Sequence, residues 1–119
     1  MATPHTHKKL TDVKDSAPEF GLEENGEARF AKYDLDAEQT GVSHHRLKPG
    51  KRQPFGHRHE KCEEVYVVLG GSGRIKLDAI RMAPGVTRAF EAGPAGIEIL
   101  AFGPRVDGDG ELIQEWWTD

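Results

Sequence analysis

The chain has 119 residues, a formal net charge of −4, 36% hydrophobic residues, 14 glycines, 7 prolines and one cysteine, Cys62. This length suits one domain, and the glycine and proline content suits short strands joined by many turns. The charge gives no electrostatic reason to expect nucleic acid or anionic lipid as a partner. One cysteine excludes an internal disulfide, and no apolar run approaches a membrane span. We therefore expect a cytoplasmic protein with neither export signal nor membrane segment.

The first part of the chain predicts a tail followed by two strands. Residues 1–9 are polar and are expected to form a flexible tail, with residues 10–119 forming a single domain. The segment 10–13 predicts a short edge strand. Strands are predicted over 28–35 and 42–47, the second closed by Pro49-Gly50.

The strand over 42–47 brings one histidine to the core side. If Leu47 faces the core, a period of two places Ser43 and His45 on the same face, and His44 and Arg46 on the other. His45 is therefore a candidate pocket residue. The alternative is a histidine that is packed or hydrogen-bonded in the wall of the fold.

The most informative stretch contains two histidines and a glutamate. His57 and His59 stand at i and i+2, so they point to the same face of a strand, and Glu64 follows five positions later. A turn at Glu60-Lys61 brings Glu64 towards them on the next strand. Two imidazoles and one carboxylate suit a divalent transition metal such as Zn, Fe, Mn, Ni or Co.

The segment 64–69 predicts the clearest strand, because it is rich in β-branched and aromatic residues and is followed by Gly70-Gly71. With Glu64 inward, Tyr66 and Val68 are expected inside. Tyr66 then lines a cavity beside Glu64, or serves only as an aromatic core residue.

These residues resemble the first motif of the cupin family: Gly50, then His57 and His59, then Glu64, then, after six intervening residues, Gly71. The resemblance implies an all-β fold, the cupin-type double-stranded β-helix or small jelly-roll barrel. It also implies that His57, His59 and Glu64 bind a metal inside the barrel.

The second cupin motif is matched only in its turn. Pro84-Gly85 is in place, but Arg88 occupies the position usual for the third histidine, and no asparagine follows. Arg88 and Phe90 continue one inward face and are candidate pocket residues. Arg88 either leaves a three-ligand metal site, pairs with Glu64 in a metal-free pocket, or binds an anionic ligand through its planar guanidinium.

The segment between the two motifs is short. Its apolar phase slips by one residue across Asp78-Ala79, which predicts a bulge or tight turn there. Small cupins carry a further hairpin in this region, so either the chain has lost that hairpin or the sequence omits a stretch. A loop is predicted over 92–96 and a strand over 97–102. Trp116-Trp117 are expected to close a barrel end or to pack on a partner subunit.

Two functions remain open on the sequence. One is an enzyme of the dioxygenase, isomerase or lyase type, acting on a small polar or anionic molecule at a bound metal. The other is a non-catalytic module that binds a small molecule in a degenerate, metal-free site. In either case we expect a homodimer, formed through the sheet edges or the Trp116-Trp117 end.

Overall fold

The computed structural model describes residues 5–77, 84–85, 87–105, 109–114 and 116–117. Within these residues, six strands form one curled antiparallel sheet, preceded by two short 3-10 helices, Leu10–Asp12 and Ala17–Phe20. The strands are β1 (Gly26–Phe30), β2 (Thr40–Leu47), β3 (Gly56–His59), β4 (Val65–Leu77), β5 (Arg88–Pro104) and β6 (Gly110–Ile113). This architecture agrees with the predicted all-β fold class.

Strand β5 lies at the centre of the sheet. The strand order is β1-β2-β5-β3-β6, and β4 also pairs with β5. The second half of β5 pairs with β2, from Leu47↔Ile97 to Thr40↔Pro104. Its first residue, Arg88, pairs with His57 of β3. The long β5 therefore connects the part of the sheet that carries the two histidines to the part that carries β1 and β2.

Strands β4 and β5 form a hairpin that bends at glycines. Their register runs from Val65↔Phe102 to Leu77↔Arg88, with irregularities between Val68 and Gly70 and between Gly71 and Gly73. Gly71 has φ +74°, and a Cβ there would lie 2.1 Å from the carbonyl oxygen of Gly96. Two expectations are thus wrong: Gly70-Gly71 does not end the strand, and residues 92–96 lie within β5. A glycine pair at a bulge gives the same sequence signal as one at a turn.

Three other predicted boundaries differ from the structure or cannot be compared with it. The segment 10–13 forms a 3-10 turn, in which the N–H of Val13 donates to the carbonyl of Leu10 at 3.1 Å, so the predicted edge strand is wrong. The strand predicted over 28–35 ends at Phe30. The predicted slip across Asp78-Ala79 lies outside the described residues.

The core packs on the inner face of the sheet. Its buried cluster consists of Leu47, Phe90, Ala92, Ile97 and Ile99, with Tyr66 and Ile75 packed against it. Val68, expected inside, is 52% exposed, so that expectation is wrong. The register is continuous from Tyr66↔Ala101 to Val68↔Ile99, so alternation gives Val68 the face of Tyr66. Alternation sets the face of a side chain, but its burial also depends on neighbouring residues that cover it.

The C-terminal tryptophans pack on the chain itself. The indole N–H of Trp117 donates to the carbonyl of Gln53 at 2.6 Å, and the Arg52 guanidinium lies 4.2 Å from the centre of that ring. Trp116 lies against Gly56, where a Cβ would come within 2.8 Å of the indole. Among the residues described, no helix has the length and hydropathy that a membrane span requires.

Candidate metal centre

Strand β3 positions the two histidines. Because it is extended from Gly56 to His59, His57 and His59 point to the same face, with their ring centres 5.5 Å apart. Glu64 lies directly before β4 and reaches the same point from the next segment of the chain. The carbonyl of His59 accepts a hydrogen bond from the N–H of Gly85, so the Pro84-Gly85 turn lies against β3.

The three side chains converge as their spacing predicts. Nε2 of His57 lies 3.4 Å from Oε1 of Glu64, and Nε2 of His59 lies 3.6 Å from Oε2. One ligand atom from each residue lies within 4.8 Å of the other two. Tetrahedral ligands about 2.05 Å from one zinc ion are separated by about 3.4 Å. Donor types and separations therefore fit a divalent metal, and the three residues are its possible ligands.

Arg88 lies behind this group and contacts Glu64. Its side chain is fully buried, its Nη2 donates to Oε1 of Glu64 at 2.9 Å, and its Nε donates to the Tyr66 hydroxyl oxygen at 2.7 Å. The Tyr66 hydroxyl in turn donates to Oε1 of Glu64. Oε1 of Glu64 therefore accepts hydrogen bonds from both Arg88 and Tyr66, while Oε2 of Glu64 faces His59. The pairing of Arg88 with Glu64 is one of the arrangements anticipated from the sequence.

Glu64 is a charged group in a poorly hydrated place. Burial alone would raise the pKa of Glu64, but hydrogen bonds with His57, His59 and Tyr66 lower that pKa far below its usual range. Burial lowers the pKa of His57, which favours the neutral imidazole that a metal requires. Burial and the nearby Glu64 charge raise the pKa of Tyr66, so its phenol keeps the proton.

A cavity of about 270 Å³ opens in front of the two histidines and Glu64. Three of the four predicted pocket residues line it: His45, Tyr66 and Phe90. Arg88 lies behind Glu64 and Tyr66 and is not among the lining residues. At roughly 30 Å³ per water molecule, the space holds about nine waters, which suits a small ligand.

His45 contributes an uncharged polar group to this cavity. Its Nε2 lies 2.8 Å from the Ser43 hydroxyl, and the edge of its ring meets Phe30 with 5.6 Å between ring centres. Burial, and after it the proximity of His57, lower the pKa of His45 to about 4. The sequence left open whether this histidine lines a pocket or packs in a wall, and the structure places it on the cavity.

Two residues near the site carried no signal in the sequence. Arg105, which follows β5, lines the cavity and is exposed. Asp109, which precedes β6, places Oδ2 3.9 Å from Nδ1 of His59. Neither residue belongs to a spacing pattern with His57, His59 or Glu64, because sheet pairing brings them together from 41 or more positions away along the chain.

No family model matches the sequence, and no curated protein matches it. Solved structures do match. One is oxalate decarboxylase from Bacillus subtilis at pH 4.6, at 18% identity and a TM-score of 0.73, covering 93% of this chain and 32% of that one. Another is a tryptophan-to-phenylalanine variant of the same enzyme, at 18% identity and a TM-score of 0.75, covering 98% and 34%.

A third match is a structure of oxalate decarboxylase that concerns its substrate binding mode and a switch in its reaction specificity. It has 19% identity and a TM-score of 0.72, and the match covers 96% of this chain and 33% of that one. The chain thus spans about a third of the length of the structures it matches. At these identities the likeness defines the fold. Oxalate decarboxylase is a cupin-fold enzyme, and this chain has the fold of a small cupin domain with a possible His-His-Glu metal site.

Proposed function

We propose that this chain binds one divalent transition metal through His57, His59 and Glu64, and that its cavity takes a small polar or anionic molecule. The observation that carries the proposal is the convergence of two imidazoles and one carboxylate, all within 4.8 Å, at the wall of a cavity. Zn, Fe, Mn, Ni and Co are all compatible with these donors.

The surrounding residues support a site that is prepared for a metal. Arg88 and Tyr66 hold Oε1 of Glu64 by direct hydrogen bonds, which fixes the carboxylate and leaves Oε2 towards His59. Outer hydrogen bonds of this kind orient metal ligands. A bound metal would supply Lewis-acid or oxygen chemistry of the dioxygenase, isomerase or lyase type.

The positive charges of Arg105 and of a bound metal favour an anionic ligand. Of the two carboxylates that also line the cavity, Glu64 would bind the metal and Glu111 pairs with Arg58. Arg105 lines the cavity with a guanidinium, a group that binds carboxylates through two parallel hydrogen bonds. The matched structures are named for oxalate, a small dicarboxylate. We therefore propose small mono- and dicarboxylates as the first ligands to examine.

The test is metal titration of protein purified without a histidine tag. Calorimetric titration with Zn²⁺, Mn²⁺ and Co²⁺ at fixed pH is expected to give one site per chain. His57→Ala and Glu64→Gln should each weaken binding by about tenfold or more, because each removes one of three protein ligands.

The chain offers a matched control in its first residues. His5 and His7 form another pair at i and i+2, and Asp12 stands five positions after His7, but among the described residues these three side chains do not converge on one point. The double variant His5→Ala/His7→Ala should keep the affinity of the parent. Equal losses in this control and in His57→Ala, or no binding by the parent, would contradict the proposed metal site.

A second candidate function is favoured by the ion pair between Arg88 and Glu64. That pair satisfies the Glu64 charge without a metal, as in a metal-free module that binds a small molecule. Titration of oxalate, malonate and acetate in the presence of a chelator separates the two. Carboxylate binding that is unchanged by added metal and by His57→Ala would favour the metal-free module.

A further inference from the structure

Asp109 is a buried carboxylate anchored to the turn after β3. Its side chain is 2% exposed, and Oδ1 accepts the N–H of Lys61 at 2.9 Å. The N–H of Glu60 and the thiol of Cys62 also donate to this carboxylate. Burial would raise the pKa of Asp109, but these hydrogen bonds lower it below its usual range, so the group is charged.

The other oxygen of Asp109 is directed towards a candidate ligand. Oδ2 is buried and has no hydrogen-bond partner among the described residues. It lies 3.9 Å from Nδ1 of His59, whose Nε2 lies 3.6 Å from Oε2 of Glu64. The two carboxylates thus stand at opposite nitrogens of one imidazole ring.

We propose that Asp109 is a positioning residue, which accepts the Nδ1 proton of His59 and so leaves Nε2 free to bind the metal. This inference rests on the proposed metal function and deepens it. A neutral imidazole carries its proton on one nitrogen and its lone pair on the other. With no metal bound, Glu64 at Nε2 favours the opposite tautomer, so the influence of Asp109 is seen where the Glu64 carboxylate is removed or bound to a metal. A carboxylate at Nδ1 then selects the tautomer with Nδ1–H and makes Nε2 a better ligand.

The arrangement differs from that of a purely structural aspartate. Anchoring the turn at residues 60–62 requires only an acceptor at Oδ1, which an asparagine also supplies. The buried Oδ2 adds nothing to that anchor, because its neighbour is His59. Replacing this oxygen with an amide nitrogen therefore separates the two roles.

The experiment is Asp109→Asn. Its amide oxygen keeps the acceptor for the N–H groups, while its amide nitrogen presents a donor to Nδ1 of His59. In metal-free Glu64→Gln protein, where the competing carboxylate is removed, long-range ¹H–¹⁵N spectra should show the His59 proton moving from Nδ1 to Nε2 when Asp109→Asn is added. In the protein that keeps Glu64, Asp109→Asn should lower the Zn²⁺ affinity, measured by calorimetry, about ten- to hundredfold.

The control is Asp12→Asn, an identical change at an exposed position in the first 3-10 helix. It should alter neither the His59 tautomer nor the zinc affinity. Unfolding midpoints of all these proteins show whether each is folded.

Three outcomes would overturn the inference. They are an Nε2–H tautomer of His59 in metal-free Glu64→Gln, an unchanged tautomer when Asp109→Asn is added to it, and a zinc affinity of Asp109→Asn equal to that of the control. The tautomer in Glu64→Gln decides the matter even if Asp109→Asn does not fold. Failure of the parent to bind zinc would instead refute the proposed function, while the tautomer measurement would still test Asp109.

Discussion

Arg88 provides the counter-charge of Glu64 when no metal is bound. The arginine is fully buried and Glu64 is 17% exposed, so removing the guanidinium leaves a poorly hydrated carboxylate unpaired. We expect Arg88→Met to lower the free energy of unfolding by about 3 kcal/mol in the presence of a chelator. Saturating Zn²⁺ should stabilise the variant more than it stabilises the parent, because a dication then replaces the lost charge. Urea unfolding with and without Zn²⁺ measures both effects.

Arg46→Met is the matched control for this change. Arg46 also pairs with a glutamate, Glu98, at 2.9 Å, but its side chain is 57% exposed. Exposed pairs contribute about 1 kcal/mol or less. An equal gain from Zn²⁺ in the parent, Arg88→Met and Arg46→Met would show that Arg88 and a metal do not share Glu64.

His45 should make the stability of the protein depend on pH. Its pKa of about 4 in the folded chain is below the value near 6.5 of an unfolded histidine. The unfolded chain therefore binds a proton first as the pH falls, and folded stability declines between about pH 6.5 and 4. The Ser43 hydroxyl lies within hydrogen-bonding distance of the His45 ring. The charges of His57, Glu64 and His44 also act on the pKa of His45.

His45→Gln should lessen this decline. Between pH 7.5 and 5, the parent should lose on the order of 2 kcal/mol more than the variant. Urea unfolding at the two pH values, with a chelator present, measures the difference. His7→Gln, at an exposed position near the start of the chain, should decline as the parent does. Parallel declines in the parent and His45→Gln would refute the assignment.

The centre of the site was predictable because its residues are local in sequence. His57, His59 and Glu64 lie within eight positions, and strand periodicity is enough to bring the two histidines together. Asp109 and Arg105 could not be predicted in this way. They meet the site only through the pairing of β3 with β6 and the length of β5, which no local pattern encodes.

The hairpin of β4 and β5 depends on a close approach at Gly71. Any residue at this position must adopt the left-handed backbone conformation, at φ +74°. Its Cβ would also overlap the carbonyl oxygen of Gly96. Gly50 has a similar φ of +70°, but a Cβ there meets nothing within 4 Å. The two glycines therefore separate backbone strain from steric overlap.

Gly71→Ala should cost more than Gly50→Ala in the free energy of unfolding. The left-handed conformation costs an alanine about 1 kcal/mol at either position. Overlap with Gly96 should add about 2 kcal/mol at Gly71 alone. Chemical denaturation of both variants measures the difference. Equal losses would mean that the two strands do not approach closely at this bulge.

Strand identity was predicted better than strand length. The β-branched and aromatic residues over 64–69 and the apolar residues over 97–102 indicated strands. Both segments lie in the β4–β5 hairpin, apart from Glu64, which precedes it. Glycine-rich segments were interpreted as strand ends because glycine marks turns and bulges alike. Pairing across the hairpin decides between these two meanings, and that pairing is not local.

The first part of β4 leaves apolar side chains exposed. Val65, Val67, Val68 and Leu69 are 40–52% exposed, although they alternate between the two faces of the strand. The described residues pair β4 on one side only, with β5. An exposed apolar strand with an unpaired edge favours association with another strand. We expect a second copy of the chain to supply it, because pairing of β4 with β4 about a two-fold axis is self-complementary.

Val67→Lys should weaken this association, because it places a charge in the centre of the exposed segment and near its own symmetry mate. Light scattering at high micromolar concentration should give a dimer for the parent and a monomer for the variant. Leu10→Lys is the control: Leu10 is 38% exposed, and it belongs to the first 3-10 helix. This control should remain a dimer. A monomeric parent would contradict the association, and a dimeric Val67→Lys would place the contact elsewhere on the molecule.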